Sequence, residues 1–328
     1  MNKYYLGIDT SAYTTSVGIV NEEGQVILDL RKRLKVARNK RGLRQQEAVF
    51  QHIKNLPEMF AKVSETIDIN DLLVISASTK PRNIEKSYMP VFVVGKEQAF
   101  IISKLLNIPY KEFSHQEGHI SAGIIGTALE REENFLAFHI SGGTTELLFV
   151  DNRRENFNIE RIGGTLDISV GQLVDRIGVK LGLDFPCGEE MDCLSQNGSI
   201  INKKIPLSIK DTWSNFSGYE NFFYDIIDSK KYLTEDIIKT LFYTIYLCLE
   251  KIIVNSCMSF NIRKVLLIGG VASNIFIRKN LSESLSKRGI DLYIPPIEYC
   301  SDNGIGTAYL GNVKNDNRWG IKICQLNL

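Results

Sequence analysis

In the stretch His115-Gln116-Glu117-Gly118-His119, residue types and spacing point directly to chemistry. The chain has four histidines, and two of them stand here four residues apart. On a helix that spacing puts both imidazoles on one face, one turn apart. Two neutral rings so placed can grip one transition metal; without a metal they are ordinary polar residues on a helix surface. Glu117 is out of place for a zinc protease, whose glutamate directly follows the first histidine or directly precedes the second. The pair suggests a metal and argues against proteolysis. Three glycine-bearing turns could serve an anionic ligand: Gly7-Ile8-Asp9-Thr10-Ser11, Ser141-Gly142-Gly143-Thr144-Thr145 and Gly269-Gly270-Val271-Ala272-Ser273-Asn274. Glycine lets backbone approach a ligand, successive N–H groups can nest an anion, and a glycine turn before a helix offers the helix N-terminus to a phosphate. Asp9 could hold a metal or its waters. Neither a Walker A lysine motif nor a G-x-G-x-x-G is present.

The elements that must position these residues show a repeat. Tyr5–Asn21 and Phe135–Asp151 match at a constant offset of 130: Ser11 with Ser141, Thr14-Thr15 with Thr144-Thr145, Val20 with Val150. Each reads as an apolar strand, a small polar turn and an alternating strand, which is a β-hairpin pattern. The rest alternates. Leu72–Ser76 and Lys264–Ile268 read as buried strands. Gly95–Leu106, Asn274–Arg288 (ended by Gly289) and a last segment opening at Asn303 read as helices. This predicts an α/β protein of two similar lobes. The boundary falls near Arg131–Asn134, dividing the chain into 1–131 and 132–328, with the final helix, 303–314, packing back on the first lobe.

Composition narrows the class. The chain has 328 residues, 44% hydrophobic and 23% charged, which suits a globular protein of two domains. A net charge of +1 gives no global field toward nucleic acid or membrane. No signal-peptide pattern or membrane-length apolar run is visible, and the six cysteines form no C-x-x-C. A cytoplasmic protein with reduced thiols is the expectation. Arg31–Arg44 carries eight cations in fourteen residues and no acid. That is either a phosphate-contacting surface for RNA or a solvated face.

These motifs, in this order, resemble the TsaD family. They are Gly7-Ile8-Asp9-Thr10-Ser11, His115-x-x-x-His119, Ser141-Gly142-Gly143, Asp175 in Gly171-Gln172-Leu173-Val174-Asp175, Gly269 to Asn274 and Ser301-Asp302-Asn303. The resemblance runs the length of the chain and implies the actin/hexokinase-like (ASKHA) fold, two lobes around a nucleotide cleft. It implies transfer of a threonylcarbamoyl group from threonylcarbamoyl-adenylate to an adenosine of tRNA. By position it implies His115, His119 and Asp302 as ligands of one divalent transition metal, iron or zinc. It implies His139, Ile140, Ser141, Gly142 and Gly143 as the phosphate-side run, and Asp175, Gly188 and Asn274 around the nucleoside of ATP or an adenylate. Asp302 could equally cap the helix that follows it. Catalytic candidates are Asp9, Ser11 and Thr14. The implied partners are tRNA, with Arg31–Arg44 as a contact surface, and a homologous or complex-forming subunit, with no membrane. The chain departs from the family pattern at several places. Ala12-Tyr13-Thr14-Thr15 replaces the usual Cys-Asp-Glu-Thr, and Lys80-Pro81-Arg82 replaces Gly-Pro-Gly. Cys187-Gly188-Glu189 replaces Gly-Gly-Pro, Glu220 replaces a lysine, and Thr144 replaces a histidine. These changes mark a divergent paralogue. They leave open a non-catalytic ATP- or ADP-binding subunit, or a carbamoyltransferase or kinase of small molecules.

Overall fold

The computed structural model describes residues 3–11, 13–36, 43–153 and 157–313. They form two compact units. The first comprises Met1–Ile125, Asn152–Phe157 and Asp302–Leu328; the second comprises Gly126–Asp151 and Asn158–Ser301.

In the first unit the order is β1 (Tyr4–Thr10), β2 (Thr14–Asn21), β3 (Val26–Arg33), α1 (Gln45–Thr66), β4 (Leu72–Lys80), α2 (Val91–Leu106), β5 (Tyr110–Ser114) and α3 (His115–Ile124). The five strands form one sheet ordered β3-β2-β1-β4-β5, antiparallel across β1, β2 and β3 and parallel from β1 to β4 to β5. In the second unit come β6 (Asn134–Ile140), β7 (Thr145–Asp151), β8 (Asn158–Thr165), α4 (Val170–Lys180), α5 (Gly188–Ser195), β9 (Ile209–Lys210) and β10 (Trp213–Ser214). They are followed by α6 (Ser217–Asp228), α7 (Thr234–Phe260), β11 (Lys264–Ile268), α8 (Ile275–Ser286) and β12 (Asp291–Tyr293). Its sheet is ordered β12-β11-β6-β7-β8-β10-β9. Taking β6, β7, β8, β11 and β12 as counterparts of β1 to β5, the five shared strands keep one order. The repeat extends to register: Tyr4 pairs with Asn21 and Thr10 with Thr15, while Asn134 pairs with Asp151 and Ile140 with Thr145.

The expected strand at Leu72 runs on to Lys80, and the helix expected from Gly95 begins at Val91, directly after Pro90. A proline just ahead of a helix suits a backbone that needs no N–H there. The helix expected from Asn274 begins one residue later because Asn274 is its cap, and Gly289, at φ 66°, lies shortly past its end.

A last helix, α9 (Ile305–Val313), returns to the first unit and packs on β1, β2, β4 and α3. Glycines make that approach possible. A Cβ on Gly7 would meet the Ala308 nitrogen at 2.2 Å, and one on Gly18 would meet the Ile305 nitrogen at 2.5 Å. With α2 also packed on β1, that strand is buried along its whole length. The core of the first unit gathers Leu6, Ile8, Val17, Ile19 and Ile75 against Leu56 and Val63 of α1. The core of the second is built on Ile238, Leu241, Ile245 and Leu249 of α7. Each such side chain, fully buried, contributes about 1.5–3 kcal/mol. Among the described residues no helix is long and apolar enough to cross a membrane.

Candidate metal centre and the counterpart turn

His115 and His119 open α3, and the helix is fixed there by a capping box. The Ser114 hydroxyl accepts from the Glu117 amide at 3.2 Å, and Glu117 accepts from the Ser114 amide at 2.7 Å. Glu117 therefore sets the start of the helix, and with it the face on which both imidazoles stand. Gly118 marks where α9 crosses α3: a Cβ on Gly306 would lie 1.9 Å from the Gly118 carbonyl oxygen. This close crossing brings Asp302, just ahead of α9, to the histidines. In the first turn of α9 the Gly306 amide is taken by the Asn303 side chain at 3.0 Å. Asn303 thus performs the capping role that the sequence also allowed for Asp302, whose carboxylate faces the rings instead.

The His115 and His119 Nε2 atoms lie 3.1 Å apart, and Asp302 Oδ1 lies 3.6 Å from the first and 3.3 Å from the second. Donors about 2.1 Å from a tetrahedral ion sit roughly 3.4 Å from one another. Three donors at this spacing, two imidazole nitrogens and one carboxylate oxygen, fit a transition-metal ion and leave further positions open. Asp9 is not one of the three. Its Oδ2 lies 2.6 Å from His115 Nδ1, so the ring donates from Nδ1 and turns Nε2 toward the centre. Asp9 is itself held by the Ser11 amide at 2.7 Å and the Ser78 hydroxyl at 3.0 Å, and Ser78 is joined to Thr307 of α9 at 3.1 Å.

The electrostatics agree with a cation site. Burial alone would lower the basicity of His115, but the charge of Asp9, its hydrogen bond and the charge of Asp302 outweigh it and raise the pKa to about 9. Burial would raise both acids, yet His115 holds Asp9 low, and His119 with His115 holds Asp302 low. One buried and one half-buried carboxylate beside two imidazoles suit a divalent ion. Thr10 anchors the N-terminus of α2: its hydroxyl donates to the Val91 carbonyl at 2.9 Å and accepts from the Gly95 amide at 3.0 Å. That places Phe92 5.9 Å from the His115 ring. Ser11 and Thr14 are buried at the turn between β1 and β2, and Tyr13 between them is 46% exposed.

The second unit uses its hairpin differently. His139 and Ile140 are the buried last residues of β6. The Ser141 amide donates to the Thr144 carbonyl at 2.8 Å, and the Thr144 amide donates to Ser141 Oγ at 3.1 Å. Gly142 and Gly143 are exposed, with open space where a Cβ would stand. The N-terminus of α4 is pressed onto this turn: Ser169 Oγ donates to the Gly142 carbonyl at 2.7 Å, and the Val170 amide donates to Thr145 Oγ1 at 2.8 Å. Asp175 of α4 accepts from the Cys187 amide at 2.9 Å, next to Gly188 at the start of α5. Burial raises the Asp175 pKa, partly offset by that hydrogen bond. Asn274 accepts from the Ile277 amide at 2.9 Å and donates to Asp192 at 2.9 Å, while Asp192 also accepts from the Ile275 amide at 3.0 Å. At the N-terminus of α8 the Asp192 carboxylate takes up the Ile275 amide, so part of the third glycine turn is bound within the chain.

Sequence reasoning overlooked Ser78, Thr307, His52, Asn55 and Asp192. Ser76 and Ser78 interrupt an otherwise apolar strand, and that polar intrusion was the available signal. Of the basic segment, Arg31 pairs with Asp29 at 2.5 Å and Lys32 with Glu58 at 2.6 Å. Arg38, Lys40 and Arg41 lie outside the described residues.

Comparison with known proteins adds a family. The model of TsaD, described as tRNA N6-adenosine threonylcarbamoyltransferase, matches residues 30–309. A protein of Thermosipho melanesiensis named tRNA N6-adenosine threonylcarbamoyltransferase is 31% identical over 312 residues, 93% of this chain and 93% of its own length. A "Probable bifunctional tRNA threonylcarbamoyladenosine biosynthesis protein" of Methanocaldococcus jannaschii is 29% identical over 96% of this chain, which spans 56% of that protein. Among solved structures, T. kodakarensis HypF aligns with a TM-score of 0.63 at 14% identity, over 96% of this chain and 48% of its own. That last likeness concerns the fold, which is actin/hexokinase-like.

Proposed function

The chain belongs to the TsaD family, tRNA N6-adenosine threonylcarbamoyltransferase, and from that premise we propose that it transfers a threonylcarbamoyl group from threonylcarbamoyl-adenylate to a tRNA adenosine in a metal-dependent reaction. The observation that carries the reading is the trio of donor atoms on His115, His119 and Asp302, with Asp9 orienting the first ring. A bound iron or zinc ion supplies Lewis-acid polarisation of a phosphate or carbamoyl oxygen. The exposed Gly142 and Gly143 backbone receives phosphate oxygens, and Asp175 and Gly188 border the nucleoside. The adenine N6 attacks the carbamoyl carbon and loses a proton, and the carbon–oxygen bond to the phosphate breaks with AMP as the leaving group. No side-chain nucleophile is required, so orientation and a fixed electrostatic environment supply the rate. The basic segment Arg31–Arg44 contacts the tRNA backbone, a homologous or complex-forming subunit completes the assembly, and the cytoplasm is the compartment.

The test incubates purified, metal-loaded protein with threonylcarbamoyl-adenylate and tRNA, then analyses digested nucleosides by mass spectrometry. Threonylcarbamoyl-adenosine that disappears with His115→Ala and with Asp302→Ala is the expected result. Absence of the modified nucleoside under metal-replete conditions, with tRNA and nucleotide binding intact, would overturn the transfer reading in favour of a non-catalytic subunit.

A further inference from the structure

One histidine stands outside the trio and is fully buried: His52, on the inner face of α1. Its Nδ1 lies 2.8 Å from Thr15 Oγ1, and that oxygen also accepts from Asn55, one helical turn further along α1, at 3.0 Å. With the hydroxyl already accepting from Asn55, the simplest arrangement has Thr15 donating to Nδ1, which leaves the proton of a neutral ring on Nε2. Nε2 is buried, and the Ser11 backbone is a hydrogen-bond partner of the ring. Burial lowers the basicity of the ring, against the opposing pull of Ser11, Asp9 and Asp302, so it stays neutral. A fully buried histidine held at the end of a hairpin calls for a role.

The position of Thr15 supplies one. Thr15 is the register partner of Thr10, and together they close the hairpin whose turn carries Ser11. The Ser11 amide holds Asp9 Oδ1, and Asp9 Oδ2 holds His115 Nδ1. A path of hydrogen bonds, strand pairing and covalent bonds thus runs from His52 through Thr15, Thr10 and Ser11 to Asp9 and His115.

We propose that His52 is a positioning residue of the metal centre: together with Asn55 it holds the Thr15 hydroxyl, and so fixes the turn at Ser11 and through it the Asp9 carboxylate that orients His115. This rests on the metal reading of the trio. His52 touches neither a donor atom of the trio nor a reacting group. Its effect is on how tightly and in what geometry the ion is held. Asp9, bonded directly to a ligand, is the kind of partner that changes metal affinity by about 10- to 100-fold, and His52, acting through it, has a smaller effect.

The experiment is a Co2+ titration of the full chain against a competing chelator, recording the visible ligand-field bands, alongside a melting curve of each metal-free variant. Wild type binds one Co2+ per chain. His52→Leu binds it more weakly, by up to about 10-fold, with altered bands, and His52→Gln, which keeps a donor and an acceptor, recovers part of the loss. A buried histidine with a purely structural role lowers the melting temperature while the folded protein keeps its Co2+ affinity and spectrum, and that result would overturn the proposal. Should His52→Leu not fold, Thr15→Val carries the test, since it removes the hydroxyl at nearly constant volume. A folded Thr15→Val with unchanged Co2+ affinity overturns the proposal equally. No Co2+ binding by wild type would overturn the metal reading itself, an outcome distinct from failure of the His52 path alone.

Discussion

Residues Tyr4–Asn21 and Asn134–Asp151 pair in the same register at an offset of 130, and the two hairpins are put to different uses. Where the first strand ends, the first unit has Asp9 and the second has His139. Thr15 of the first is bound by side chains of α1, His52 and Asn55, while the matching Thr145 accepts from the backbone amide that opens α4. At the first turn Ser11 and Thr14 are buried and Tyr13 is exposed, and Asp9 beside it orients His115 of the candidate metal trio. The second is a glycine turn, exposed at Gly142 and Gly143, with a helix N-terminus against its side. One scaffold thus presents charged side chains in one unit and backbone dipoles in the other. The difference lies in which element packs on the hairpin.

The comparison can be broken most strongly at the trio. His119→Ala removes one of three donors, and Zn2+ affinity measured by chelator competition is expected to fall by more than about 100-fold, beyond the loss usual for an outer partner. Ser141→Ala, at the turn of the other unit, is expected to leave that affinity unchanged and to weaken binding of an adenine nucleotide. Equal effects of both on the metal would erase the division of labour. Next comes Asp9→Asn, which keeps the shape but weakens the acceptor for His115 Nδ1; a loss of about 10- to 100-fold in Zn2+ affinity is expected, with little change in melting temperature.

Glycine substitutions test how each hairpin is covered. Gly306→Ala places a methyl 1.9 Å from the Gly118 oxygen, and Gly171→Ala places one 2.4 Å from the Ser141 oxygen. Each is expected to cost about 1–3 kcal/mol or more in urea unfolding, whereas Gly142→Ala meets nothing within 4 Å and should be tolerated. Only Gly306→Ala should also weaken metal binding, because it displaces α9 and Asp302.

The smallest effect is acidic and belongs to the second unit. Burial would raise the Asp167 pKa, but the Ser217 hydroxyl and the Phe216 and Ser217 amides outweigh it and hold the acid low. A carboxylate depressed in the folded state adds stability above its unfolded pKa of about 3.9, and this is lost as pH falls through the folded value. Asp167→Ala should be less stable than the parent at pH 7 and approach it at about pH 2. A deficit of equal size at both would mean that the charge of Asp167 is not what stabilises the start of α6.

Much of this was legible in the chain. The spacing of His115 and His119 states its own geometry once a helix is granted, because four residues make one turn. The hairpin repeat was readable because strand alternation and turn composition are local, and the constant offset survived into the register. Gly269 announced a turn, and its φ of 98° confirms one. The resemblance brought Asp302 to the pair, which spacing alone could not do.

Other roles were decided only in three dimensions. Nothing local distinguishes Asp302 from Asn303 as the cap of α9; the packing of Gly306 on Gly118 does, by turning one carboxylate toward α3. Asp9 could as well have been a ligand as an orienter, and its 2.6 Å contact with Nδ1 rather than Nε2 settles which it is. Asn274 gives no sign in the sequence of Asp192, 82 residues earlier, which accepts from its side-chain nitrogen. The sequence determined which groups are available and how they repeat, since periodicity and turn chemistry act over a few residues. The tertiary structure decided which groups meet, since contacts such as that of Ser78 with Thr307, 229 residues apart, depend on how closely two backbones can pack.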